Sequence, residues 1–224
     1  MITFTTILPL RLYRLSKLLK NVINFSIWCI MVSKRKIGLL LSYIMKILIL
    51  LYTEYSFVNG YYFMGVVGIL SFFMTFIPTL LYRTLRVTLP WELSFLIVLS
   101  LFLHIAGNIG QFYELFYPVY DKIAHFISSV TVAVLGLVSV VILDQYTDMN
   151  LNKYMITVFV ILLTMAIGAF WEIGEFAYDL LLGANTQTSL ADTMFDLIFD
   201  LTGGVLIGIF GYYYHEKMPQ THFM

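Results

Sequence analysis

The 224-residue chain has one cysteine, Cys29. A single thiol excludes a disulfide framework within the chain and any metal site built from several cysteines. Charge is nearly as scarce: Asp, Glu, Lys and Arg make up 12% of the residues, against roughly 25% in soluble domains. The thirteen basic and thirteen acidic residues cancel, so there is no basic field to attract a nucleic acid. No inverted repeat of the kind common in transporters is visible, and nothing beyond the N-terminal stretch reads as an extramembrane domain.

Hydrocarbon side chains fill the space that charge leaves. The chain is 60% hydrophobic, with a mean hydropathy of +0.88, the composition of an integral membrane protein. Six runs reach the roughly 20 residues that a bilayer core demands: 37–58, 61–81, 91–112, 122–143, 153–182 and 192–214. Short breaks rich in Gly, Pro and polar residues separate them, at Asn59-Gly60, Arg83 to Pro90, Pro118 to Asp121, Asp144 to Asn152 and Gly183 to Leu190. The expected fold is all-α, a polytopic bundle of six transmembrane helices over residues 37–215, with a short tail at 216–224.

Residues 1–36 form a basic N-terminal segment. Leu8, Leu12, Leu15 and Leu19 share a face, so 8–20 reads as an amphipathic helix on an anionic leaflet. The apolar piece Val22–Val32 is too short to span, and Ser33-Lys34-Arg35-Lys36 stands where a signal peptide would be cleaved. Met31 reads equally well as a start, which makes the first thirty residues dispensable. Eleven Lys and Arg fall at the N-terminus, in the second and fourth connections and in the tail, against Lys122 alone on the other side. By the positive-inside rule both termini are cytoplasmic, in a plasma or inner membrane. Lys46, inside the first span, either neutralises a buried acid or snorkels to the interface.

That topology sends nine of the thirteen acids to the outward half of the membrane. Carboxylates at such depth are costly unless paired, protonated or bound to a cation. In the fifth run Glu172, Glu175 and Asp179 lie within an arc of about 60° on one helix face. The sixth run carries Asp192, Asp196 and Asp200 at a stride of four. Ser189 and Asp192 fit a capping box, which leaves the deeper two unexplained. In the fourth run Asp121 stands one turn before His125, as an N-cap after Pro118, as the carboxylate that orients the imidazole, or as both. His104, Asn108 and Gln111 share a face of the third run, either as a polar packing seam or as part of a site. Gly204 and Gly208 read as a helix-packing motif, and Gly174 as a place where a neighbouring backbone approaches. The uncharged loop 185–189 supplies oxygen ligands, substrate hydrogen bonds or a plain re-entry turn.

Tyr120-Asp121-Lys122-Ile123-Ala124-His125-Phe126, the Trp171-Glu172-x-x-Glu175 segment and Thr186-Gln187 followed by Asp192-Thr193 and Asp196 together resemble the YjdF-like family of bacterial inner-membrane proteins. The likeness covers roughly residues 100–205, and a fainter one links the Asp-Lys-x-x-His-Phe pattern to VanZ-like membrane proteins. Carried over, it implies site membership for Asp121, His125, Glu172, Glu175, Gln187, Asp192, Thr193 and Asp196, and it implies no reaction. Ser189 and Leu190 depart from the pattern, and Asp179 and Asp200 have no clear place in it.

The residues themselves point to a metal-centred site. His104, His125, Glu172, Glu175, Asp196 and Asp200 offer mixed N/O ligands suited to Zn²⁺ or Mn²⁺, and less to Mg²⁺ or Ca²⁺. Glu172, Glu175 and His125 are the expected catalytic groups, Gln187, Asn108 and Gln111 the substrate-binding ones, and Asp121, Asp192 and Asp179 the supporting acids. The concrete form is a metal-dependent hydrolase of a lipid or lipid-linked envelope substrate. Two further classes stand beside it, a non-enzymatic lipid-binding protein and a proton- or cation-coupled transporter.

Overall fold

The structure is a computed structural model that describes residues 34–85, 89–147 and 150–214. The basic amphipathic segment before Lys34, Cys29 and the tail from residue 215 lie outside the described residues. The chain divides into two compact units, 1–41 and 42–224. Of the first, only the opening turns of α1 are described; the second holds the bundle and the site.

Every described element is helical: α1 Lys34–Val58, α2 Tyr62–Met74, α3 Ile77–Leu85, α4 Trp91–Ile109, α5 Phe112–Leu115, α6 Val119–Tyr146, α7 Lys153–Leu182 and α8 Leu190–Tyr214. Five are long and apolar enough to cross a membrane alone, and α2 with α3, bent by 41° at the break between them, is either a sixth, broken span or a re-entrant pair. The run 61–81 is therefore not one straight helix. Pro78, in the first turn of α3, has no N–H for the carbonyl of Met74, and its ring would crowd that carbonyl, so α2 ends there. Similarly, the third run stops at Ile109, earlier than its hydropathy indicates. Gln111 adopts a left-handed conformation (φ 59°), and the chain turns into α5 before α6 begins.

Helix ends carry the expected punctuation. Asn152 caps α7 by accepting hydrogen bonds from the amides of Tyr154 and Met155, at 3.0 Å each. Gly183 closes the same helix in the left-handed region, its N–H donating to Asp179 O. At the start of α8 the Asp192 amide donates to Ser189 Oγ at 3.2 Å, the serine half of the expected capping box.

α6, α7 and α8 pack into the centre, and α4 lies against α6. Glycine makes the central contacts close. A methyl group at Gly203 would meet the Ser129 hydroxyl of α6, and one at Gly204 or Gly208 would meet Thr164, Thr157 or Ile161 of α7. At the end where α6 and α8 finish and α7 starts, the interior is hydrocarbon: Ala133, Leu137, Val140, Ile156 and Val160. At the other end it is polar, with His125, Glu172, Asp192, Asp196 and Asp200 all buried. Outside, large apolar residues such as Leu162, Phe170, Ile173 and Leu180 are exposed. Such a surface is a liability in water and the natural one in lipid. Lys46 has its ammonium 4.6 Å from the centre of the Phe76 ring, a cation–π contact rather than a pairing with a buried acid.

Candidate functional site

Three helices deliver the buried and half-buried polar groups. α6 supplies Asp121, Lys122 and His125; α7 supplies Glu172 and Glu175; α8 supplies Asp192, Asp196 and Asp200. α6 and α8 enter the bundle at the end where α7 leaves it, so the acids of all three meet near one level.

Lys122 holds this layer together. Its ammonium lies 2.9 Å from Asp121 Oδ2, 2.6 Å from Asp192 Oδ1 and 2.8 Å from Asp196 Oδ1. Three carboxylates from two helices thus share one cation, which satisfies all three of its N–H donors. Asp121 is not the N-cap expected from its place after Pro118. α6 begins at Val119, with Pro118 as its flanking residue and no side-chain cap. Asp121 sits in the first turn, where a negative charge is favoured by the helix dipole. It presents Oδ2 to Lys122 and Oδ1 to His125.

His125 is ringed by carboxylates. Its Nε2 lies 3.8 Å from Asp121 Oδ1, 3.7 Å from Glu172 Oε1 and 3.8 Å from Asp196 Oδ1. Those separations exceed hydrogen-bond reach. The other ring nitrogen, Nδ1, is 3.4 Å from Asp200 Oδ2. Asp200 is lodged against α7 where Gly168 leaves room: a methyl group at Gly168 would collide with its carboxylate. Glu172 receives a hydrogen bond on Oε2 from Gln187 Nε2, at 3.0 Å, while its buried Oε1 has no donor. A lone buried carboxylate oxygen is a costly feature that calls for a cation or a proton.

One atom each from Asp121, His125 and Asp196 lies within 4.8 Å of the others, close enough to share a metal ion. Ligands bound at about 2.1 Å to a common ion stand on the order of 3 to 4 Å apart. The N···O separations around His125 Nε2 match that spacing better than they match direct hydrogen bonds.

The other sequence-derived site residues fall around this layer in distinct places. His104 is engaged at both nitrogens, Nδ1 with Tyr113 OH at 2.7 Å and Nε2 with Ser128 Oγ at 3.0 Å. Its ring lies edge-on to His125, with centroids 5.8 Å apart, and packs on Trp171. Burial pushes the Tyr113 phenol well above its ordinary range, so it stays a neutral hydroxyl. Glu175 turns toward Trp171, whose Nε1 donates to Oε1 at 2.9 Å. Asn108 donates to His104 O. Asp179 accepts from the Thr186 amide and hydroxyl and from the Gln187 amide, at 2.7 to 2.9 Å, and so anchors the loop after α7. Asp192 accepts from Thr188 Oγ1 at 2.9 Å. Gly174 faces open space, so no backbone approaches there; Gly168 is the close-approach glycine of α7.

Sequence reasoning gave Lys122 no role in the site and passed over Tyr113 and Ser128. The available signal was that Lys122 is the lone cation among many acids on its side, a charge that several of them must share.

A family described as predicted membrane protein (DUF2238) matches residues 37–217. The chain belongs to this family. An uncharacterized protein of Thermotoga maritima is 34% identical to it over 117 residues, which are 51% of this chain and 59% of that protein. The chain therefore matches less than two thirds of that relative's length. No solved structure matches.

Two voids flank the His125 layer of this DUF2238 protein. A chamber of about 590 Å³ is lined by Asn108, Gln111, Glu114, Asp121, Glu175 and Asp192, with tyrosines and the loop 184–188. A smaller crevice of about 190 Å³ is lined by His104, His125, Ser128, Trp171 and Asp200, and continues past Ile97, Thr131 and Leu135.

Proposed function

We propose that the protein holds a divalent cation at the His125 layer and uses it to hydrolyse a lipid or a lipid-linked envelope substrate. The observation that carries this reading is the buried, donorless Oε1 of Glu172, 3.7 Å from an imidazole nitrogen that two further carboxylates also face. Around that point five carboxylates, Asp121, Glu172, Asp192, Asp196 and Asp200, surround one ammonium and one imidazole. A divalent ion would offset much of the remaining negative charge.

In this reading His125 Nε2, Asp121, Glu172 and Asp196 are the ligands, a mixed N/O set suited to Zn²⁺ or Mn²⁺. Asp200 orients the imidazole through Nδ1, as carboxylates behind metal-binding histidines commonly do. His104 stays a neighbour, held by Tyr113 and Ser128. Such an ion supplies Lewis acidity and lowers the pKa of water. Glu175, on the chamber wall, is placed to take the proton released as water adds to the substrate. Asn108 and Gln111 line the same chamber and offer hydrogen bonds to a polar headgroup, while Gln187 fixes Glu172.

The remaining assignments belong to the same proposal. Both termini face the cytoplasm of a plasma or inner membrane, and the site opens in the outer half. The likeness to YjdF-like and VanZ-like proteins agrees with that topology and adds no chemistry. Transport fits less well, because the hydrocarbon core around Ala133, Leu137, Val140, Ile156 and Val160 interrupts a polar path through the bundle. Non-enzymatic lipid binding shares the two voids and differs only in turnover.

Elemental analysis of the purified protein tests the metal. Wild type is expected to carry zinc or manganese, and Glu172→Gln and Asp196→Asn to lose it. A metal-free wild type whose melting temperature ignores added Zn²⁺ and Mn²⁺ would overturn the reading. Lipid profiles of a deletion strain then separate enzyme from binder: one accumulating species identifies a substrate, and an unchanged profile favours binding alone.

A further inference from the structure

The carboxylates of the His125 layer differ in what they face. Asp121 and Asp196 each face two nitrogens. Asp121 gives Oδ2 to the Lys122 ammonium at 2.9 Å and turns Oδ1 to His125 Nε2 at 3.8 Å. Asp196 uses a single oxygen for both, with Oδ1 2.8 Å from the ammonium and 3.8 Å from Nε2. Asp192 meets the ammonium through Oδ1 at 2.6 Å, while its Oδ2 accepts from Thr188. Glu172 meets the imidazole through Oε1 at 3.7 Å.

The layer therefore has two adjacent positions for positive charge. Asp121 and Asp196 are shared between them, Asp192 belongs to one and Glu172 to the other. Two-metal hydrolytic sites hold their ions about 3.5–4 Å apart, a spacing that a carboxylate bridges with its two oxygens. Here the protein's own cation fills one position. Lys122 Nζ has oxygens of three acids at 2.6 to 2.9 Å and the Asp192 carbonyl at 3.4 Å. Such an all-oxygen surround also suits a hard divalent ion. The other position is bounded by Glu172, which is 5% exposed and whose Oε1 has no hydrogen-bond partner among the described residues. A bare carboxylate oxygen at that depth marks where the second positive charge belongs.

We infer that Lys122 is the fixed member of a two-cation site: its ammonium stands where a second metal ion would otherwise bind, so the layer takes one exchangeable divalent ion. This rests on the reading that the layer holds a metal, and adds the residue that sets how many. The three Lys122 N–H groups are engaged by Asp121, Asp192 and Asp196, which leaves none for a substrate. Lys122 is thus a positioning residue. It holds Asp121 and Asp196 beside His125 and offsets their mutual repulsion. Lewis acidity is left to the one exchangeable ion. Because the ammonium is tethered, half of the cation pair does not depend on metal supply.

Removing the tethered charge from the full-length protein in detergent tests this. Lys122→Ala empties the ammonium position and leaves every carboxylate in place. After manganese loading and desalting, elemental analysis should rise from about one ion per chain in wild type to about two in the variant. Electron paramagnetic resonance of the bound Mn²⁺ should show an isolated ion in wild type and a spin-coupled pair in the variant. In chelator the variant should melt below wild type. Added Mn²⁺ should raise its melting temperature by more than it raises that of wild type, since the ion fills an additional position in the folded state. Should the variant fold only when Mn²⁺ is present from cell lysis onward, that dependence supports the inference; aggregation with and without Mn²⁺ overturns it. A spin-coupled pair in wild type, or a variant that gains no ion over wild type, also overturns it. The two ideas fail separately. Metal-free wild type beside a variant that binds one ion removes the metal reading and keeps Lys122 as the stand-in cation, whereas one ion in both proteins does the reverse.

Discussion

At the scale of single residues, the site consists of charges kept in place by other charges. Lys122 is the clearest case. Lys122→Met leaves the half-buried Asp121 and the buried Asp192 and Asp196 without their shared ammonium, and removing one partner from a buried ion pair costs about 3–5 kcal/mol. A loss of that order is expected in denaturant unfolding, with part of it restored by Asp192→Asn in the same chain. Gly168→Ala makes a subtler test. The added methyl meets the Asp200 carboxylate, and overpacking of this kind costs about 1–3 kcal/mol. The variant should also shift the imidazole resonances of His125, since Asp200 holds its Nδ1. His125, Glu172 and Asp196 were legible in the sequence, because an ionisable group in an apolar helix stands out against its neighbours. The partners of Lys122 were not: a linear sequence shows how many acids share a side, but not which of them reach one ammonium.

At the scale of elements, periodicity located the spans, and local backbone chemistry decided where they stop. Pro78 breaks the second span, and the left-handed Gln111 ends α4 before the polar face of the third run is complete. Both lay within apolar runs, where a hydropathy reading has no contrast to mark an end. The loop after α7 was the hardest segment to read, since a plain turn and a site wall look alike in sequence. Its hydrogen bonds separate them: Asp179 holds Thr186 and Gln187, Glu172 holds Gln187, and Asp192 holds Thr188. Asp179→Asn should therefore loosen the loop without unfolding the helices. Amide hydrogen exchange at Thr186 and Gln187 is expected to rise about tenfold or more, as one charge-assisted bond is worth about 1.5–3 kcal/mol, while exchange in α6 stays unchanged.

At the scale of the whole molecule, an even number of spans returns the chain to the side from which it started. If α2 and α3 together make one crossing, Lys34 and Tyr214 face the same compartment and Asn185 the opposite one. Cysteine scanning checks this: with Cys29 replaced, a thiol at Asn185 should react with an impermeant reagent in intact cells, and one at Asn152 only after lysis. Reaction at Asn152 in intact cells, with Asn185 labelled only after lysis, would mean that the bent pair does not cross. The bundle's central contacts also bear on how such a sequence can change over evolutionary time. Asp200 occupies space that exists only because residue 168 lacks a side chain, and Ser129 stands in the same relation to Gly203. The glycine of each pair is not free to drift alone: a larger residue at 168 is best met by a smaller one at 200, which would cost His125 its carboxylate. Lineages that keep the histidine's partner are thereby confined to glycine on the facing helix, and the loss of that glycine would mark the branch where the site was given up.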